Sequence, residues 1–91
     1  MKEPTYKIIS INHADTNQPR LDRKYPQQIG KFCRQPIPII GRVMYVEYIG
    51  NEDLLDFGIR TSLVQSVSEY GNTIKITTLN SVYEFEKVEE N

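Results

Sequence analysis

The stretch "LVQSVSEYGNTIKITTLNSVYEFEKV", Leu63–Val88, decides the fold. It reads as three β-strands joined by two tight turns. Gly71-Asn72 suits a two-residue hairpin loop, because glycine accepts the positive φ that the twist of a hairpin demands. Asn80-Ser81 is a second loop of the same kind, with asparagine tolerating the left-handed region. The first loop pairs Tyr70 with Thr73, Ser68 with Lys75 and Val67 with Ile76. The second pairs Leu79 with Val82, Ile76 with Phe85 and Lys75 with Glu86. Directly opposed residues share a face of the sheet. Val67, Ile76 and Phe85 then line up across three strands, with Thr78 and Tyr83 beside them. Lys75 lies on the other face between Ser68 and Glu86, an opposite-charge pair. A slip of one residue would put Ile76 and Phe85 on opposite faces, so the pattern specifies the register. Val64, Leu79 and Val82 fall on the outer face, either under a loop or as an exposed apolar patch.

Working upstream, "LLDFGIRTS" alternates as a half-buried strand, with Leu55, Phe57 and Ile59 facing one way and Asp56, Gly58 and Arg60 the other. "GRVMYVEYIG" is apolar on both faces: Met44, Val46 and Tyr48 oppose Val43, Tyr45 and Ile49. Its β-branched and aromatic residues mark it as a central strand. Gly50, Asn51, Glu52 and Asp53 form the loop between the two, and "TYKIISIN" near the start reads as a first strand.

Between the first and central strands lies "PRLDRKYPQQIGKFCRQPIPIIGR", Pro19–Arg42. Its 24 residues hold six of the chain's 11 basic residues, four of its five prolines and its one cysteine. Pro19, Pro26, Pro36, Pro38, Gly30 and Gly41 break every helical window, so no helix is expected here. A short strand within Gly30–Arg34 is compatible with the pattern. The fold class that follows is all-β: a small antiparallel barrel or roll of five or six strands, SH3-like favoured over OB-like. Residues 1–91 make a single domain with a long loop at about 12–41. Closure of the sheet removes edges that would otherwise aggregate. An OB-fold is second, because no helix is available between its third and fourth strands.

Ninety-one residues with 38 % hydrophobic and 25 % charged content suit one globular domain. No run approaches the roughly 18 apolar residues of a membrane span, and the opening residues lack a signal-peptide pattern. One cysteine cannot form an internal disulfide, which points to a reducing, cytoplasmic setting. The net charge of −1 divides unevenly, as +5 over residues 1–42 and −6 over residues 43–91. Such a division can steer a partner.

The residue types that carry chemistry are sparse. His13 and Cys33 are the only histidine and cysteine, too few for a zinc site of about four ligands, and no metal or cofactor is expected. His13 reads as a polar turn residue. Cys33, between Phe32 and Arg34 and near Lys31, reads as a small packed residue rather than a reactive thiol. Glu52, Asp53 and Asp56 do not match a calcium-loop spacing. No glycine pattern cradles phosphate, because neither Gly30 nor Gly41 opens a helix. The chain is therefore expected not to be an enzyme.

Binding remains. Arg20, Arg23, Lys24, Lys31 and Arg34 interleave with Tyr25 and Phe32, the mixture of cations and rings that single-stranded nucleic acid uses. A slightly acidic chain argues against a dedicated nucleic-acid binder. Abundant tyrosine and arginine favour a protein partner instead. "RQPIPIIG" is extended, either docking along another chain or leading into the central strand. Self-association as a homodimer is a third reading.

"IRTSLVQSV", the Gly-Asn hairpin and "IKITTLNSVYEFE", with "RLDRKYPQQIGK" more loosely, resemble small uncharacterised proteins of Gram-positive bacteria, often from phages and mobile elements. The resemblance implies context only: an accessory protein that binds a host or phage protein, anti-defence inhibitors being one such class. The expectations are thus a non-catalytic protein-binding module, adaptor or inhibitor, with a small nucleic-acid-binding barrel as the alternative.

Overall fold

The computed structural model describes residues 4–49 and 58–88. Its strands are β1 (Thr5–His13), β2 (Phe32–Arg34), β3 (Val43–Glu47), β4 (Gly58–Tyr70), β5 (Thr73–Thr78) and β6 (Ser81–Val88), with one helical turn, α1 (Tyr25–Gln28), before β2. They form one antiparallel sheet in the order β2-β1-β6-β5-β4-β3. A bridge between Cys33 and Tyr48 draws the two ends together, and the Ile49 N–H donates to the Phe32 carbonyl at 2.9 Å. The result is a small, nearly closed barrel in which every strand neighbours its successor and the last neighbours the first. The all-β expectation holds.

The β4–β5 hairpin has the register that Gly71-Asn72 dictates: Tyr70 opposes Thr73, Ser68 opposes Lys75 and Val67 opposes Ile76. Gly71 has φ 59°, as the tight turn requires. The β5–β6 turn closes one residue earlier than expected, on Leu79-Asn80. Ile76 therefore opposes Tyr83, Ile74 opposes Phe85, and Lys75 opposes Glu84 rather than Glu86. Side-chain hydroxyls explain the shift. The Thr78 hydroxyl donates to the Ser81 carbonyl at 3.0 Å and accepts from the Ser81 N–H at 3.1 Å and from the Ser62 hydroxyl at 2.9 Å. Ser81 is thereby held in β6, buried, rather than in the turn. The pairing moves by two residues, so each side chain keeps its expected face. Ile74, Ile76, Tyr83 and Phe85 are all buried, and the last two rings stack with centroids 6.4 Å apart.

Bulges complete the core. In β1, Ile9 is the extra residue between the Ile8–Phe85 and Ser10–Glu84 pairs, which lets both Ile8 and Ile11 point inward despite their odd spacing. In β4, an extra residue at Gln65 turns Val64 inward, and a second irregularity lies opposite Met44. There the Thr61 hydroxyl takes the Met44 N–H at 3.0 Å, replacing the lost ladder bond. Of the three residues expected outside, Val64 and Val82 are buried and only Leu79 is exposed.

Two further expectations are corrected. A helical turn does form at Tyr25–Gln28, because Pro26 sits at its first positions, where no intrahelical N–H is needed. And β3 is not central: it ends the sheet order, beside the seam. Met44 and Val46 are buried, but Val43, Tyr45 and Ile49 stay exposed. The pairing of β2 with β3 runs out because β2 stops at Arg34, before Pro36 and Pro38, which have no N–H to offer a ladder. Of "LLDFGIRTS", Ile59 is buried and Arg60 exposed as expected, while Leu55, Asp56 and Phe57 lie outside the described residues, as do Gly50, Asn51, Glu52 and Asp53.

Candidate functional site

The basic segment divides its side chains between internal contacts and an open cleft. Arg20 is tied into the barrel. Its guanidinium donates to the Ser81 hydroxyl at 2.6 Å and, through Nε and Nη2, to both Asp22 carboxylate oxygens at 3.2 and 2.8 Å, and lies 4.2 Å from the centre of the Tyr25 ring. Only 13 % of the Arg20 side chain is exposed. The hydrogen bond with Asp22 raises the Arg20 pKa, and the same bond lowers that of Asp22. Beneath them lies Tyr83, whose phenol burial pushes up to about 12, with Ser81 and Tyr25 as its hydrogen-bonding neighbours. Arg20, Tyr25, Ser81 and Tyr83 are thus one stitch between the long connection and β6.

Lys31 sits with its ammonium 4.7 Å from the centre of the Tyr48 ring. Arg34 pairs with Glu47 at 3.2 Å across the seam, both side chains more than half exposed, so the pair adds little stability. Phe32 is exposed on β2, opposite Lys7 in the register. Cys33 faces inward and is fully buried; burial pushes its thiol up to about 12, outweighing any influence of Lys31 and Arg34. It is a packed residue, not a nucleophile. His13 ends β1 with Nε2 3.9 Å from an Asp22 oxygen.

Arg23, Lys24 and Tyr25 do come together, on an open cleft of about 390 Å³ at the seam end of the barrel. Gln28, Tyr48, Gly58, Ile59 and Arg60 complete its lining. None of these last five was nominated from the sequence as a site residue. They arrive from three separate elements, and only the barrel's closure brings them together.

The outer side of β3 forms a second feature. Val43 opposes Leu63 in the register, and the Leu79 N–H donates to the Leu63 carbonyl at 3.0 Å, which brings the three backbones side by side. Tyr45 lies on the same strand and shares a hollow of about 270 Å³ with Ile37. All five are exposed, Ile37 to 74 % and Tyr45 to 53 %, as are Ile39 and Ile40. Tyr45 also covers Gly58: a Cβ there would lie 2.9 Å from the ring and 2.3 Å from the Val46 carbonyl oxygen. Arg60, opposite Tyr45 in the register, borders the patch.

Among the described residues no group of three or more His, Cys, Asp or Glu could hold a metal ion, and no helix is long and apolar enough to cross a membrane. Comparison with protein-family models, with curated proteins and with solved structures returns no match.

Proposed function

We propose that this chain is a non-catalytic protein-binding module whose contact surface is the apolar outer face of β3 and β4 with the adjoining 37–40 segment. One observation carries the reading: Ile37, Val43, Tyr45, Leu63 and Leu79 are all exposed, with Val43 opposite Leu63 in the register and Ile37 and Tyr45 sharing a hollow with Arg34, Gln35 and Glu47. Isolated exposed hydrophobics are ordinary, but contiguous ones mark interaction surfaces. Tyr45 and Arg60 are of the residue types that dominate interface energetics. Arg60, opposite Tyr45 in the register, and the Arg34–Glu47 pair at the hollow give the surface charged neighbours of both signs, which suits a partner with an apolar face and a polar rim.

The basic segment, the face that the sequence alone favours, supplies less. Arg20 and Tyr25 are engaged with each other and with β6, and Arg34 with Glu47. A nucleic-acid-binding barrel is the second reading, resting on Arg23 and Lys24 at the cleft. An SH3-like barrel is favoured over an OB-like one, on the excursion after the first strand followed by a meander. The resemblance to mobile-element proteins would make the partner a host or phage protein in the cytoplasm, and an anti-defence inhibitor is one form of that reading.

A photo-crosslinking residue tests the surface. Placed at Tyr45 it should give a discrete protein adduct in cells; placed at Tyr70, exposed at the far end of β4, it should not. Equal adducts at both positions, or none at Tyr45, would overturn the reading.

A further inference from the structure

We infer that the cleft between α1 and the start of β4 binds a phosphate-bearing small molecule of the nucleotide class. This goes beyond the protein-binding reading and stands on other residues except Arg60, which borders both surfaces. The volume of about 390 Å³ falls in the range of sites that hold small organic ligands, roughly 300–1,000 Å³.

Charge gives the ligand its sign. Arg23, Lys24 and Arg60 all line the cleft, and among the described residues no acidic side chain does. None of the three makes an ion pair or side-chain hydrogen bond among the described residues, in contrast to Arg20 and Arg34 nearby. Cations gathered around a concavity raise the local concentration of anions, and arginine forks match phosphate oxygens. Arg23 holds φ 53°, a left-handed conformation that a non-glycine residue adopts at a cost and that recurs at ligand sites.

The rest of the lining accounts for a ring. Tyr25 and Tyr48 both border the cleft. Gln28 fixes one wall against the other. It is buried, its amide nitrogen donates to the Lys24 carbonyl at 3.0 Å, and its amide oxygen accepts from the Tyr48 hydroxyl. The α1 turn and the end of β3 are thereby held at a set separation before any ligand arrives. Arg20 already covers one face of Tyr25 and Lys31 one face of Tyr48, so a planar base stacks on the opposite face of either ring, while the three cleft cations take the phosphates.

The experiment is an NMR titration of the whole chain with ADP, adenosine and a single-stranded dT oligonucleotide at low salt. ADP should shift the Gln28 side-chain amide and the Tyr48 ring saturably, with an affinity that falls as salt rises. Adenosine should bind at least about tenfold more weakly, a difference of about 1.4 kcal/mol. The double variant Arg23→Met with Lys24→Met should lose about tenfold or more in ADP affinity while keeping the wild-type melting temperature. Three results would overturn the inference: no saturable shift with ADP, ADP affinity unchanged in the double variant, or binding of the oligonucleotide with none of ADP. None of these bears on the crosslink at Tyr45, so the two readings fail separately.

Discussion

Arg20→Met removes a guanidinium and keeps most of its apolar stem. In the wild type that group donates to a buried serine, lies over the Tyr25 ring and pairs with Asp22. A net hydrogen bond from a charged donor contributes about 1.5–3 kcal/mol. A partly shielded cation–π contact adds about 1 kcal/mol. The Asp22 side chain is 43 % exposed, so that pair adds little. The expected loss is about 2–4 kcal/mol, because the stem still packs and Ser81 keeps Tyr83 as a hydrogen-bonding neighbour. For a domain of this size each kcal/mol moves Tm by roughly 4–8 °C, so Tm should fall by about 8–32 °C. Arg20→Lys should recover only part, since an ammonium cannot fork between Asp22 and Ser81. Arg23→Met, which breaks no ion pair or side-chain hydrogen bond among the described residues, should stay within about 0.5 kcal/mol of wild type. Urea and thermal unfolding followed by circular dichroism and tyrosine fluorescence measure all three. If Arg20→Met melts within about 3 °C of the wild type, the stitch between the long connection and β6 is not what holds that connection down.

Further outcomes follow from single contacts. Gly58→Ala should cost roughly 1–3 kcal/mol, because the new Cβ meets the Val46 carbonyl oxygen at 2.3 Å and backbone cannot yield as a side chain would; a melting temperature unchanged from wild type would refute the close approach. Thr78→Val keeps shape but strips the β5–β6 turn of its hydroxyl, leaving the Ser81 N–H unpartnered, and denaturant titration should show a loss of about 1–3 kcal/mol. Stability should fall at alkaline pH. Tyr83 and Cys33 are raised from 10.0 and 9.0 to about 12 by burial, so the unfolded chain ionises first. Their contribution is complete below about pH 9 and is lost as pH rises toward 12. Denaturant midpoints that stay level between pH 9 and 11.5 would contradict this, as would native-state labelling of Cys33 at pH 8 as fast as in urea.

The parts of this fold that the sequence makes legible are those governed by the two-residue period of a strand. Ile76 and Phe85 share an inner face whichever of two adjacent turns closes the hairpin, because the alternatives differ by two residues. The bulges at Ile9 and Gln65 break that period, and nothing in "KIISIN" or "LVQSV" announces them. They decide that Ile11 and Val64 face inward. The helical turn at Tyr25–Gln28 was hidden by counting Pro26 as a breaker when it stands at a position that tolerates proline. The site was less legible still. Arg20 and Ser81 are 61 residues apart, and only the closed sheet shows that this cation is consumed internally. The cleft draws Arg23, Tyr48 and Arg60 from distant segments, and the apolar patch on β3 exists because the seam leaves that strand at the end of the sheet.

The central claim is that the apolar face of β3 and β4, not the basic segment, makes the functional contact. Capture from nuclease-treated extract of the producing cell tests it most directly, using three matched baits: wild type, Tyr45→Glu with Leu63→Glu, and Arg23→Glu with Lys24→Glu. The account predicts one stoichiometric protein retained by the first and third baits and lost from the second. Retention by the second bait with loss from the third would contradict it.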